Sequence, residues 1–363
     1  METNTNEEIS SKTPDFVSLY DYYNEALENK GSQYNVNDLF AQRKAKEFIR
    51  ECFSEEYKNA KIKRCISIIT PFRAIHTVSA FLLGLIIRNE LQFDTRKWRR
   101  LPGEKSSKGS FELFWSLICL FHDIGYKYEE NSEEYKFYEN IDDFVCCLNL
   151  DYNLLEESKY RGLISNYYKK RISGETACVD HGIVGALLLY DALMDLAENS
   201  QIYSSIKENK KFFVKICDTI ALHNMWRASK DTIDEYKAYK LWELIPGDDK
   251  HHIIFYKDDA LLFLLAVVDT IDPIKAFCRN RRHRDPVTEM SVLKNTYIHF
   301  INRTRVKKLE LSYMSPDFET FANNIADHGS GMMSWLGVFI SNSVNSQGKE
   351  VLSISINLVD SAP

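Results

Sequence analysis

Three places in the chain put ionisable side chains inside strongly apolar segments. His122 and Asp123 close the run FWSLICLF, Asp269 follows eight apolar residues in LLFLLAVVDTID after an alanine-led start, and His76 lies within AIHTVSAFLLG. A buried, unpaired carboxylate is very costly unless it meets a partner or a metal. Asp123 stands near a helix C-terminus, where the macrodipole adds to that cost. Asp272 is three positions beyond Asp269 and falls on roughly the same helical face, so a second carboxylate joins the first. A cation offsets all of these costs at once. Two further histidines lie between, each on its own helical segment: His181, in the first turn after Asp180, and His223, at the end of ICDTIAL. Imidazole with carboxylate suits Mn, Fe, Co, Ni or Zn, with Mg a further candidate, and not an all-oxygen Ca site. Six ligands exceed what one hydrolytic ion with open positions needs and suit two ions bridged by a carboxylate.

In chain order these residues read His76, His122-Asp123, His181, His223, Asp269. The pattern resembles the HD superfamily of metal-dependent phosphohydrolases, whose signature is a histidine, a distant His-Asp pair and a further distant Asp on the helices of an all-α bundle. The resemblance covers about residues 70–275. It implies that His76, His122, Asp123 and Asp269 bind one metal, with Asp123 bridging to a second. It also implies that His181 and His223 complete that second site, as intervening histidines do in the dinuclear branches. The stretch FHDIGYK is close to the His-Asp-Ile-Gly-Lys of the cyclic-dinucleotide branch, but Tyr126 displaces Lys127 by one place. Asn224 follows His223 where that branch has another histidine, so cyclic dinucleotides are not assigned.

Several polar residues flank this set. Lys127 is a candidate phosphate contact and electrostatic catalyst, Arg73 lies one turn before His76, and Asp272 is placed to orient a metal-bound water or a ligand. Four arginines fall between Arg279 and Arg284, and Arg281 and Arg282 are candidate contacts to a polyphosphate. The basic loop 96–108 is a candidate lid or partner surface.

The elements that must position these groups are helical almost throughout. Apolar residues recur at three- and four-residue spacing from about residue 16 to 285. Thr70-Pro71 starts one helix, Ser110 starts another that Gly125 is expected to end, Asp180 caps a third, and Pro273 stops the Asp269 helix. Beyond 285, NTYIHFI, KKLELSYM and EVLSISINL read as strands, with FETFANNIADHGSGMMSWLGVFI helical between them. The expected architecture is mainly α: a flexible tail at 1–15, an all-α HD-type helical bundle at 16–285, and a small C-terminal α+β appendage at 286–363.

The 363 residues carry 46 Lys plus Arg against 52 Asp plus Glu, a net charge of −6. That balance does not suit coating nucleic acid or an anionic membrane. The apolar runs from Ser79 and Leu261 fall short of the ~20 residues of a membrane span, and no membrane partner is expected. The eight cysteines form no CxxC, which fits reduced thiols in a cytoplasm. The expected function is hydrolysis of a phosphate ester or phosphodiester, in a nucleotide or related small molecule, by a metal-activated water. Two other readings are an HD-type nuclease acting on single-stranded nucleic acid and a non-catalytic nucleotide-sensing HD protein. The short strands of the appendage would leave edges exposed, so packing on the body or a homodimer is expected.

Overall fold

The computed structural model describes residues 17–28, 60–93, 110–173, 177–199, 210–225, 233–241, 253–278, 286–302, 306–313, 318–333, 335–345 and 348–357. The tail 1–15, the loop 96–108 and the arginines 279–284, Arg281 and Arg282 among them, lie outside these.

The described chain starts with β1 (Val17–Ser18) and α1 (Leu19–Glu28), followed by α2 (Ala60–Ser67), α3 (Pro71–Glu90) and α4 (Ser110–Phe121). Short helices α5 (Tyr126–Glu130), α6 (Ile141–Leu148) and α7 (Arg161–Ile172) lead to α8 (His181–Asn199), α9 (Lys210–Leu222) and α10 (Ile233–Ala238). Helix α11 (Ala260–Ile271) passes directly into α12 (Pro273–Cys278), and α13 (Pro286–Asn295) into β2 (Thr296–Asn302). The chain ends with β3 (Val306–Tyr313), α14 (Phe318–Met333), β4 (Val338–Val344) and β5 (Glu350–Asn357). The fold is mainly α with a small antiparallel sheet built chiefly from the C-terminal residues.

Local chemistry starts the helices that matter. The Thr70 hydroxyl accepts from the Arg73 amide at 3.4 Å, with Pro71 at the first position of α3. Asp180 accepts from the Ile183 amide at 3.0 Å and Asp259 from the Leu262 amide at 3.2 Å, which start α8 and α11. Helix α4 stops at Phe121, and residues 122–125 turn the chain into α5. Gly125 does not end the helix through a left-handed conformation, as the sequence suggested. Its φ is −72°, and a Cβ there would lie 2.0 Å from the His181 carbonyl oxygen. Glycine is needed because the turn presses on the start of α8.

Leu83, Ile118, Val184 and Leu265 from four helices share one apolar cluster with Leu309 and Ile354 from the sheet. Full burial of each such side chain contributes about 1.5–3 kcal/mol. Helix α3 is long and apolar enough, by length and composition, to span a bilayer, contrary to the sequence expectation. Here Leu82, Leu83, Leu85, Ile86 and Ile87 of that helix are buried in the protein core.

The sheet order is β1-β2-β3-β5-β4, antiparallel throughout. Val17 pairs with Ile298, Leu311 with Leu352 and Ile340 with Ile354. The N-terminal residues 17–18 therefore contribute a strand to the C-terminal sheet. Residues 338–340, expected as the end of a helix, instead open β4, which runs on to Val344. Helix α14 stops at Met333, and from Val338 burial alternates with period two in its first three residues, as a half-buried strand requires. Helix α14 and the turn after it are tied to the segments flanking α11. The Ile254 amide donates to the Trp335 carbonyl at 2.8 Å, and the Asn324 amide group to the Ala276 carbonyl at 2.9 Å.

Candidate metal centre

Helices α3, α4, α8, α9 and α11 converge, and the six histidines and carboxylates singled out in the sequence come together there. All six are buried. They form two groups, His76-His122-Asp123-Asp269 and Asp123-His181-His223. Within each, one ligand atom per residue lies within 4.8 Å of the others. Asp123 belongs to both.

Each histidine is held through Nδ1, which turns Nε2 toward the cluster, although His181 Nε2 also meets the Asn224 side chain. His122 Nδ1 donates to the Cys119 carbonyl at 2.7 Å and His223 Nδ1 to the Ile220 carbonyl at 2.6 Å. Both rings thus bond back onto the last turn of their own helix. His76 Nδ1 donates to Asp272 at 2.5 Å, and Asp272 also accepts from the Ser79 hydroxyl at 2.6 Å. His181 Nδ1 donates to Glu129. A carboxylate or carbonyl behind the imidazole is how metal-binding histidines have their tautomer fixed and their basicity raised. On the inner side, His76 Nε2 is 3.0 Å from Asp269, His122 Nε2 is 3.3 Å from Asp123, and His181 Nε2 is 3.7 Å from Asp123.

Close approach of α8 is a condition for this arrangement. A Cβ at Gly182 would meet the Ile220 carbonyl at 2.8 Å and the His223 ring at 3.0 Å. Any larger residue would push the His181 and His223 helices apart.

The two oxygens of Asp123 differ. Oδ2 accepts from Arg73 Nη1 at 2.9 Å. Oδ1 is buried, points between the two groups and has no hydrogen-bond partner among the described residues. An orphaned buried carboxylate oxygen is costly, and it stands where both groups need a shared ligand. The residues present therefore fit a divalent ion, and the buried His/Asp groups can hold one.

Electrostatics point the same way. Burial opposes ionisation of Asp123, but His122, Arg73, His76 and Lys275 outweigh it and hold the carboxyl far below the usual range. Asp269 is likewise held well down against burial, chiefly by Lys275 and His122. Burial disfavours charge on His76, yet its bonds to Asp269 and Asp272 raise it to about 9. Burial, reinforced by His181, lowers His223 to about 3, so its imidazole stays neutral.

Around the cluster, Arg73 stacks 3.4 Å above the Tyr126 ring, which in turn lies 3.7 Å from the His181 ring. The Asn224 amide donates to His181 Nε2 at 2.8 Å. Asp272 stands behind His76, with both oxygens engaged there. Lys127, expected as a phosphate contact, is exposed on α5. Among the described residues, the cations beside the cluster are instead Arg73 and Lys275, whose ammonium lies 2.6 and 2.5 Å from the two oxygens of Asp269. Sequence reasoning passed over Glu129, Lys275 and the stacking role of Tyr126. The signal for Glu129 was its helical spacing from Tyr126, in a run that reads as solvated.

No family model matches the chain, and no curated protein or solved structure matches it either.

Proposed function

We propose that this chain is a metal-dependent phosphohydrolase of HD type, acting on a phosphorylated small molecule, a nucleotide or related phosphodiester. Two divalent transition ions are held, one by His76, His122, Asp123 and Asp269, the other by Asp123, His181 and His223. The observation that carries this reading is the buried Oδ1 of Asp123, which accepts no hydrogen bond from the described residues and lies 3.3 Å from His122 Nε2 and 3.7 Å from His181 Nε2, between two histidine–carboxylate groups. The order of the residues along the chain supports the family assignment.

When bound, the ions supply Lewis acidity and make a water nucleophilic near neutral pH. The protein supplies the rest. Asp272 and Glu129 keep His76 and His181 turned inward. Arg73 fixes one oxygen of Asp123 and is itself held by the Tyr126 ring, so its remaining N–H groups are preorganised for a phosphoryl oxygen. Preorganised charge in a buried site is commonly the largest catalytic contribution. No side-chain nucleophile is needed. The Ser79 hydroxyl is engaged by Asp272, and burial pushes the Cys119 thiol well above its usual range.

The test is elemental analysis of purified protein beside a hydrolysis screen of mono-, poly- and cyclic nucleotides, with and without EDTA. Phosphate-ester cleavage that disappears on chelation and returns with Mn is expected. A chain that binds no divalent ion, or that cleaves equally well in EDTA, contradicts the reading.

A further inference from the structure

Among the described residues, Asp269 is the one ligand of the first group whose two oxygens both meet the same lysine ammonium. Lys275, on the short helix that Pro273 starts, places its ammonium 2.6 Å from Oδ1 and 2.5 Å from Oδ2. The lysine side chain is 14% exposed and the Asp269 side chain 3%. The same Oδ1 is 3.0 Å from His76 Nε2 and 3.4 Å from His122 Nε2. The ammonium thus stands on the carboxylate that the first ion must use. An ion ~2.0–2.2 Å from either Asp269 oxygen would have Lys275 Nζ within about 5 Å. Like charges so close in a buried, poorly screened cluster repel strongly.

We propose that Lys275 is a resident counter-cation of the first ion group: it neutralises Asp269 in the metal-free chain and is displaced when a divalent ion binds. Lys275 is therefore an affinity-setting residue, acting through Asp269. It lets two buried carboxylates and two histidines remain assembled without an ion, since it offsets the repulsion between Asp269 and Asp123. It also weakens ion binding, because every loading event must break its two hydrogen bonds. The positioning is structural: α12 begins at Pro273 immediately after Asp272, and its Ala276 carbonyl is tied to α14 by the Asn324 side chain. This inference rests on the proposed metal site, and its test separates the two.

The experiment is calorimetric titration of the full-length, chelator-stripped chain with Mn2+ alone, for wild type, Lys275→Met and Lys275→Arg. Lys275→Met is expected to bind the first ion at least tenfold more tightly, while Lys275→Arg, which keeps the charge, stays near wild type. Amine labelling of the wild-type chain, read by mass spectrometry at Lys275, gives a second readout that needs no variant. Labelling is expected to accelerate several-fold when Mn2+ is added. Unchanged or weaker affinity in Lys275→Met overturns the inference, as does labelling that is indifferent to Mn2+. If Lys275→Met does not fold, the labelling result decides alone. A wild-type chain that takes up no Mn2+ at all instead removes the metal site on which the inference stands.

Discussion

The two ligand groups that meet at Asp123 are built differently. The first has two carboxylates and two histidines, all buried. Its His76 is braced by Asp272, itself fully buried and bonded to Ser79. The second has only the shared carboxylate and two histidines. His181 is braced by Glu129, which is 23% exposed and also paired with Arg171. A cluster with two negative ligands and a dry brace should hold its ion more tightly than one with a single shared carboxylate and a wetter brace. The second group also borders the Tyr126–Arg73 stack, so on the proposed reading the more weakly held ion would lie beside the residue best arranged to meet a phosphoryl group.

The largest effect expected is that of removing the shared ligand. Asp123→Ala should abolish binding of both ions and lower turnover at least about a thousandfold; a variant that keeps one ion by elemental analysis would show that the groups are independent. Next comes His223→Ala. It should remove one ion and leave the first group loaded, so Mn2+ stoichiometry falls from about two per chain to about one. Loss of both ions would erase the difference between the groups. Weakening the braces is milder. Asp272→Asn and Glu129→Gln should each reduce affinity about 10- to 100-fold, the former for the tighter ion and the latter for the weaker one, as two separate shifts in a titration.

What was legible in the sequence, and what was not, follows the same division. His122, Asp123 and Asp269 stood out because ionisable groups within apolar helices have few cheap explanations, and the structure does bring them together. Their braces did not stand out. Glu129 sits in YKYEE and Lys275 in a short post-proline helix, both settings where exposure is ordinary. Only tertiary packing of α5 and α12 turns them inward. Gly125 and Gly182 were misread or unnoticed for a related reason, since a close backbone approach leaves no periodic trace. In the sheet, strands β2, β3 and β5 were visible from alternation. Strand β4 was hidden behind a continuous apolar stretch shared with α14, and β1 has only two residues, too few for any pattern.

Two smaller effects sharpen the contrast between ion-free and loaded protein. His76 is raised to about 9 in the metal-free chain, against ~6.5 when unfolded. Its stabilising proton is fully present below pH 6.5 and is lost as pH rises to 9, which should cost the metal-free protein on the order of 3 kcal/mol at most. An ion needs His76 without that proton, so the stability gained from loading should instead grow over the same window. Thermal melts from pH 6 to 9, with EDTA and with Mn2+, should diverge as pH rises; parallel curves would remove His76 from the ligand set. The smallest effect expected is on secondary structure. Most buried apolar side chains form one large cluster that contains none of the six candidate ligands, so EDTA should leave helical circular dichroism essentially unchanged. Unfolding on chelation would mark the site as structural.

The bridge itself can be observed directly by electron paramagnetic resonance of the Mn2+-saturated chain. Two ions sharing Asp123 would lie about 3.5–4 Å apart, close enough for their spins to couple. An exchange-coupled signal at saturation, replaced by a single-ion spectrum in His223→Ala, is the expected result. Uncoupled Mn2+ spectra at every loading would contradict the shared carboxylate.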